Sequence, residues 1–293
     1  MHMRRFLKKI ALYFGIMLLV IAGLAWSYKL KMDSLNIRPG ITTLICGDSQ
    51  PQTALNDSII QSSMNIAQGN EHYFYTHQKL KYLLPRNPGI KLVILGISYQ
   101  TFTTSFDKLI ATMLPQHLLI LDFTGKLFVV KQHPLEFLTS LRAITHEFNA
   151  IVNARSYSDY WLWGGFIKSD ISKLDEYSID DGIKVRYYET RGGLQGYSIW
   201  QEPYLKEIIR LCHDREIKIV LVGTPVNFRF ADKIPDKFIR KFHSILGSID
   251  SSKVVILDYQ GIEMPDNCFR DGHHLNSLGA EKFSKLIAES LDK

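Results

Sequence analysis

Short apolar runs alternate with helical patterns over much of residues 41–293, and this alternation constrains the fold more than any other feature. The expected strands are residues 43–46, 91–96, 218–223 and 254–258. The expected helices are residues 51–63, 73–84, 202–213, 236–246 and 277–291. Because parallel strands are joined by crossovers that are usually helical, we predict an α/β fold, a three-layer sandwich with a central parallel sheet.

The alternation stops between about residues 101 and 199. This stretch contains a glycine-rich run at residues 191–193 and many aromatic residues, namely Tyr157, Tyr160, Trp161, Trp163, Phe166, Tyr177, Tyr187, Tyr188, Tyr197 and Trp200. We expect an insertion or lid carried on the sheet. Aromatic rings there could stack on sugars or pack a small core of their own, and the sequence leaves both open.

The first 31 residues differ from the rest in charge and hydropathy. Residues 10–26 form an uncharged stretch of 17 residues, and four basic residues precede it. This length is at the short end of the roughly 17–25 residues that span a bilayer. The pattern predicts a transmembrane anchor, with the N-terminus cytoplasmic and residues 41–293 outside. A cleaved signal peptide is the alternative, since Gly23 and Ala25 are small residues at a suitable spacing.

The net charge of +6 does not indicate a nucleic-acid partner. Residues 1–31 contain six basic residues and no acidic one, which accounts for all of it. The rest of the chain is balanced, so no basic surface is expected. Cys46, Cys212 and Cys268 lack the spacing of metal ligands and are expected to be buried. The sequence predicts no metal, cofactor or nucleic acid.

The first expected strand ends at Gly47-Asp48-Ser49, which places a serine at the edge of the sheet. Pro51 suits the first turn of a helix, so we expect Ser49 in a tight turn between strand and helix. Backbone N–H groups at a helix N-terminus favour negative charge beside them. Ser49 is therefore a candidate nucleophile, although an ordinary turn would also have this sequence.

Asp271 and His274 stand three residues apart before the last helix. Their side chains can meet, so that Asp271 fixes the tautomer of His274 and His274 takes the proton of Ser49. His273 is the alternative base. We expect all three triad residues at the carboxyl edge of the sheet, where α/β proteins bind ligands. A helix-capping Asp and a packed His would be the non-catalytic interpretation.

Gly47-Asp48-Ser49 and Asp271-x-x-His274-Leu275-Asn276 resemble the SGNH/GDSL hydrolase superfamily. The resemblance implies a flavodoxin-like sandwich and a serine esterase. It continues at residues 65–70, where the family has its second block, and at residues 91–99, where it has its third.

The family's oxyanion hole is formed by the second and third blocks. The resemblance implies that Gly69 donates its N–H. Ser98 stands where the family has an asparagine, and Tyr99 stands where it has an acid. A serine hydroxyl can still donate but has a shorter reach, so Asn70 is the substitute candidate.

An N-terminal anchor followed by such a domain is also similar to DltD-type and alginate O-acetylation proteins, which work with a membrane-bound O-acyltransferase. The predicted function is an extracytoplasmic serine esterase or O-acyltransferase acting on a cell-surface or exported glycan. The substrate would be a glycan or acyl ester, and the partners a membrane and a membrane-bound O-acyltransferase. The alternatives are a catalytically weak or inactive protein that binds a glycan or serves as a scaffold partner of that acyltransferase, and a lipid esterase. A triad serves hydrolysis and transfer equally.

Overall fold

The computed structural model describes residues 2–34, 37–118, 120–140 and 163–291. Five parallel strands form its central sheet in the order β2-β1-β3-β4-β5. They are β1 (Thr43–Cys46), β2 (Ser63–Asn65), β3 (Leu92–Ile97), β4 (Lys218–Gly223) and β5 (Val255–Asp258). The prediction of an α/β fold with a central parallel sheet is confirmed.

The described residues also form α-helices, some of which cover the two faces of the sheet. They are α1 (His2–Ser34), α2 (Ser49–Ala54), α3 (Tyr73–Leu83), α4 (Thr104–His117), α5 (Phe123–Gln132), α6 (Glu176–Tyr187), α7 (Gln201–His213), α8 (Phe228–Ala231), α9 (Asp236–Gly247) and α10 (Ser277–Leu291). Residues 134–140 are helical as well. Short 3₁₀ turns occupy Leu84–Arg86, Tyr99–Phe102 and Asp266–Cys268.

Side chains of successive strand residues contribute to two separate cores, because they point to opposite faces of the sheet. Leu44 and Val93 belong to one core, together with residues of α3, α7 and α9. Ile45 and Ile94 belong to the other, together with residues of α2 and α10. The three layers expected from the sequence are therefore present.

The helix predicted at residues 51–63 is wrong from residue 55 onward. Helix α2 ends at Ala54, and the side chain of Asn56 accepts the backbone N–H of Ser58 at 2.9 Å. Such a local hydrogen bond competes with the helix and favours a turn. The chain then enters β2, an edge strand of three residues. Three residues are too few to show the alternation by which strands are recognised.

The expected position of Asp271 and His274 also needs correction. They do not end strands of the five-stranded sheet. Asp271 ends β6 (Phe269–Asp271) and His274 begins β7 (His274–Leu275), and these two strands form a separate antiparallel pair. Asn276 follows and accepts the N–H groups of Leu278 and Gly279 at 3.0 and 3.1 Å, as the predicted N-cap of α10.

Helix α1 covers the uncharged stretch at residues 10–26. In the described ranges no helix combines the length and the apolar character that crossing a bilayer requires. The predicted transmembrane helix is therefore not supported. The physical reason is that the uncharged stretch provides only 17 of the 33 residues of α1, with basic residues on both sides.

The described parts of residues 101–199 pack onto the sheet and its helices. Trp163 is buried in the core beside β3, α4 packs with Phe74 and Tyr75 of α3, and α6 packs with Phe230 of α8. Tyr157, Tyr160 and Trp161 lie outside the described residues. The division of the chain into an anchor, a sheet domain and an insertion stays a prediction.

A buried ion pair ties the loop after β2 to helix α3. Lys79 on α3 is fully buried and donates to the carboxylate of Glu71, to the carbonyl of Ile66 at 3.0 Å and to that of Trp163 at 2.9 Å. Burial by itself raises the pKa of Glu71, but Lys79 and His117 outweigh it and hold the pKa below its ordinary value. The ammonium thus joins three chain segments.

Replacing Lys79 should destabilise the fold strongly. In Lys79→Met, the carboxylate of Glu71 stays buried without its cation, which typically costs about 3–5 kcal/mol. Urea unfolding measures the loss. Lys81→Met is the matched control, because Lys81 lies on the same helix and its pair with Asp122 is partly exposed, a type worth about 0–1 kcal/mol. Equal losses in the two variants would contradict the role of the buried pair.

Candidate active site

The turn between β1 and α2 presents Ser49 at the first residue of the helix. Asp48 caps the helix, and its carboxylate accepts the N–H of Gln50 at 2.9 Å. Gly47 has a φ of +125°, which side chains rarely adopt, and a Cβ there would meet the ring of Pro51 at 2.9 Å. The glycine and the proline together force the tight turn that the sequence predicts.

Ser49, His274 and Asp271 form a continuous hydrogen-bonded chain. The Oγ of Ser49 lies 2.7 Å from Nε2 of His274. The Nδ1 atom of His274 lies 2.9 and 3.0 Å from the two carboxylate oxygens of Asp271. With the proton on Nδ1, His274 donates to Asp271 and offers its Nε2 lone pair to Ser49. This is the tautomer that a general base needs.

The electrostatic environment suits these roles. Burial lowers the pKa of His274 below its ordinary value, although the bond to Asp271 opposes this shift. The imidazole is therefore neutral at pH 7. Burial alone would raise the pKa of Asp271, but His273 and His274 outweigh burial and keep this pKa below its ordinary range. Asp271 is thus an anion that can orient the base.

His273 is not placed to act as the base. Its ring stacks on Phe230 with centroids 5.2 Å apart, and it is only 5% exposed. Neither ring nitrogen makes a hydrogen bond within the described ranges. Nδ1 is 3.1 Å from the carboxylate of Asp271, but the angles do not form a hydrogen bond. The contact between His274 and Ser49 thus supports His274 as the general base.

Gly69 lies beside the nucleophile. A Cβ atom built on Gly69 would be 3.9 Å from Cβ of Ser49. The N–H of Gly69 has no acceptor in the part of the chain that the structure describes. A free backbone donor next to Ser49 is what an oxyanion hole requires. Asn70 follows in a left-handed conformation, with φ of +63°, and its side chain is exposed.

Ser98 makes the contacts of a cap at the start of a 3₁₀ turn. Its hydroxyl lies 2.9 Å from that of Thr101, which also accepts the N–H of Ser98 at 3.1 Å. Ser98 is 2% exposed and precedes the 3₁₀ turn after β3. A role for Ser98 as an oxyanion donor stays a prediction.

Two arginines near the triad were not assigned roles from the sequence. Arg270 precedes Asp271, and its guanidinium lies 3.2 Å from the carboxylate of Asp271 and 2.8 Å from Nδ1 of His274. Arg186 reaches the same region from helix α6 and lines a pocket of about 760 Å³ with Asp271 and His274. Arg186 is 85 residues away from Asp271 along the chain, so no local motif could reveal this neighbourhood.

Asp271, His273 and His274 also bring potential metal-binding atoms within 4.8 Å of one another. A cation would meet unfavourable surroundings here, since the guanidinium of Arg270 lies 2.8 Å from Nδ1 of His274. The remaining nitrogen of His274 is engaged with Ser49. We therefore interpret Asp271 and His274 as part of the hydrogen-bonded chain to Ser49, and not as metal ligands.

Comparisons with known proteins leave the family open. No curated protein matches the sequence, and a protein-family profile without a descriptive name matches residues 194–293. A GDSL-like lipase from Bacteroides thetaiotaomicron VPI-5482 has a TM-score of 0.42 and 8% identity, over 92% of this chain and 98% of its own. A proposed acylhydrolase from Bacteroides fragilis NCTC 9343 has a TM-score of 0.41 and 9% identity, over 90% and 93%. TM-scores this low carry no argument about function.

Substitutions should distinguish His274 from His273 as the base. We expect Ser49→Ala and His274→Ala to abolish turnover of a small acetyl ester, and Asp271→Asn to slow it by about 10⁴-fold, because the imidazole then takes the wrong tautomer. His274→Ala should lower kcat far more than His273→Ala does. Steady-state kinetics, with a melting temperature for each variant, measure this. An inactive His273 variant beside an active His274 variant would reverse the assignment.

Proposed function

We propose that the chain is a serine esterase or O-acyltransferase that forms an acyl-serine at Ser49. The observation that carries this proposal is the chain of contacts from Ser49 Oγ to His274 and on to Asp271, at 2.7 and 2.9 Å. A serine paired with a neutral, carboxylate-oriented imidazole is an activated nucleophile. The SGNH/GDSL resemblance of the sequence motifs agrees with this chemistry.

The reaction would proceed in two steps. His274 removes the proton of Ser49 as Oγ attacks the ester carbonyl, and the free N–H of Gly69 supports the negative charge that develops on the carbonyl oxygen. His274 then returns its proton to the departing alcohol. An acyl-serine remains, and His274 next activates water or a sugar hydroxyl to release the acyl group.

We also propose a glycan as the acceptor or the ester substrate. Tyr177 supports this, since its ring is 80% exposed and lines the same pocket as Asp271 and His274. An exposed aromatic face beside a catalytic base can stack on a pyranose ring. Other aromatic residues of this region, such as Tyr187, are buried and serve packing.

The acyl-serine can be detected directly. On brief incubation with 4-nitrophenyl acetate, the intact mass should rise by one acetyl group, because acylation of Ser49 precedes release. Peptide mapping should place the group on Ser49. Addition of oligosaccharides should then shift the product from acetate to acetylated sugar if the protein is a transferase.

The Ser49→Ala variant should show no acetylation, whereas Ser58→Ala should behave as wild type because Ser58 lies exposed in a turn. Acetyl groups found on lysines alone, with equal rates in wild type and Ser49→Ala, would contradict the proposal.

A second candidate is a scaffold or glycan-binding protein that acts beside a membrane-bound O-acyltransferase. The observation that favours it is the hydroxyl of Ser98, which is bonded to Thr101 and stands where the family has its asparagine donor. A weak oxyanion hole would leave binding with little turnover. A fluorophosphonate that labels Ser49 would favour the enzyme, and glycan binding without labelling would favour the scaffold.

The location of the domain is a further proposal. We propose that it lies outside the cytoplasm, next to a membrane with which α1 associates. The support is that apolar side chains of α1 are exposed, such as Phe14 and Leu19, and that basic residues precede them.

Protease treatment of intact cells should therefore cleave residues 41–293, and deletion of residues 1–31 should release the domain from the membrane fraction. A full-length chain that is soluble and protected from protease would contradict this location.

A further inference from the structure

The pocket between helix α6 and the β6–β7 hairpin joins the catalytic acid and base to a group of cations. It has a volume of about 760 Å³, and its basic side chains are Lys173, Arg186 and Arg270. Besides Asp271, two acidic residues line the pocket, and neither is paired with these cations. Asp175 caps α6 by accepting the N–H of Ser178 at 2.7 Å, and Asp181 is exposed.

Arg186 reaches this pocket with most of its hydrogen-bonding capacity unused. A guanidinium has five N–H donors. One nitrogen of Arg186 donates to the carbonyl of Gly182 in its own helix at 3.1 Å. Throughout the described ranges, no carboxylate is in ion-pair contact with Arg186, although those of Asp271, Asp48 and Asp181 attract it from further away. A half-buried arginine is usually paired, because burial of an unpaired charge is unfavourable.

A buried histidine whose ring makes no hydrogen bond lies at the same place. Neither ring nitrogen of His273 makes a hydrogen bond in the described part of the chain, although the residue is only 5% exposed and Nδ1 lies 3.1 Å from the carboxylate of Asp271. A methyl group built on Gly182 would lie 3.7 Å both from Nη1 of Arg186 and from Nδ1 of His273. The guanidinium of Arg186 and the ring of His273 therefore flank one small space.

Arg270 has an unsatisfied donor during catalysis, although its Nε donates to the carboxylate of Asp271 at 3.2 Å. Its guanidinium can only donate, and it lies 2.8 Å from Nδ1 of His274. That nitrogen cannot accept from Arg270 while its own proton is donated to Asp271. Because the base needs the proton on Nδ1, the Nη2 donor of Arg270 is left without this acceptor when His274 acts.

We propose that this pocket binds a carboxylate or phosphate group carried by the ester substrate, with Arg186 and Arg270 as its ligands. An anionic oxygen would satisfy the unused donors of Arg186 and give Arg270 an acceptor other than His274. The inference deepens the proposed function and rests on it, since it names an anionic ester as the substrate class. Arginine suits this task because its planar fork matches carboxylate and phosphate oxygens.

Three esters test the proposal, namely 4-nitrophenyl acetate, 4-nitrophenyl hydrogen succinate and 4-acetoxybenzoate. The first is neutral, the second has its carboxylate on the acyl part and the third on the alcohol part. Wild type should prefer one of the two anionic esters in kcat/KM. Arg186→Gln should lower that preference by about 10- to 100-fold, the contribution of a charge-assisted hydrogen bond. Arg186→Lys should retain part of it.

Arg240→Gln is the matched control, since Arg240 is an exposed arginine on α9 whose ion pair with Asp236 is 3.6 Å long. It should keep the wild-type preference. A melting temperature for each variant shows whether Arg186→Gln is folded. If folded Arg186→Gln keeps the preference, or if wild type has none, the inference is overturned.

Direct binding separates this inference from the proposed function. Succinate and inorganic phosphate are titrated into wild type and Arg186→Gln by calorimetry. Binding that requires Arg186, in a protein that cleaves no ester and takes no fluorophosphonate, would support the anion site and overturn the proposed function. Ester cleavage without anion binding and without a preference for anionic esters would support the proposed function and overturn the anion site.

Discussion

The packing of helix α2 against the β6–β7 hairpin and α10 is the contact on which the candidate site depends. It brings Ser49 and His274 together across 225 positions of sequence. The hydroxyl of Ser284 on α10 clamps the end of α2, donating to the carbonyl of Ala54 at 3.2 Å and accepting the N–H of Asn56 at 2.8 Å. A shift of α2 along the hairpin would break the Ser49–His274 bond, so this interface sets the geometry of proton transfer.

A buried ion pair stabilises the position of the loop that carries Gly69. Lys79 lies under this loop, bonded to Glu71 and to the carbonyl of Ile66. A backbone donor stabilises an oxyanion well only if it is already in position, since reorientation during the reaction costs free energy. The buried ion pair therefore contributes to the site by fixing the position of this loop. It takes no part in the reaction itself.

The arginines around Asp271 and His274 affect how the site would work. Asp271 holds His274 in the tautomer of a base, whereas Arg270 approaches the same Nδ1 atom with a donor. An anion in the pocket of Arg186 would remove this competition. Substrate recognition and activation of the base would then be linked through one side chain.

Much of the sheet was predictable from the sequence, because buried strands and amphipathic helices have distinct hydrophobic periods. The strands at Thr43–Cys46 and Lys218–Gly223 begin and end where expected, as does the helix Ser277–Leu291. The edge strand Ser63–Asn65 was missed, because it is too short to show a period. The motifs also identified Ser49, Asp271 and His274 as candidates, since residue type and local spacing determine what each group can do.

Only the tertiary structure decided what lies next to these residues. The hairpin that carries Asp271 and His274 is separate from the main sheet, and Ser98 is engaged with Thr101. Arg186 lines the same pocket as Asp271 and His274 only because α6 packs beside the hairpin. The physical reason is that periodicity and turn chemistry act over a few neighbouring residues, whereas a site joins groups through long-range packing of side chains whose fit the local sequence does not encode.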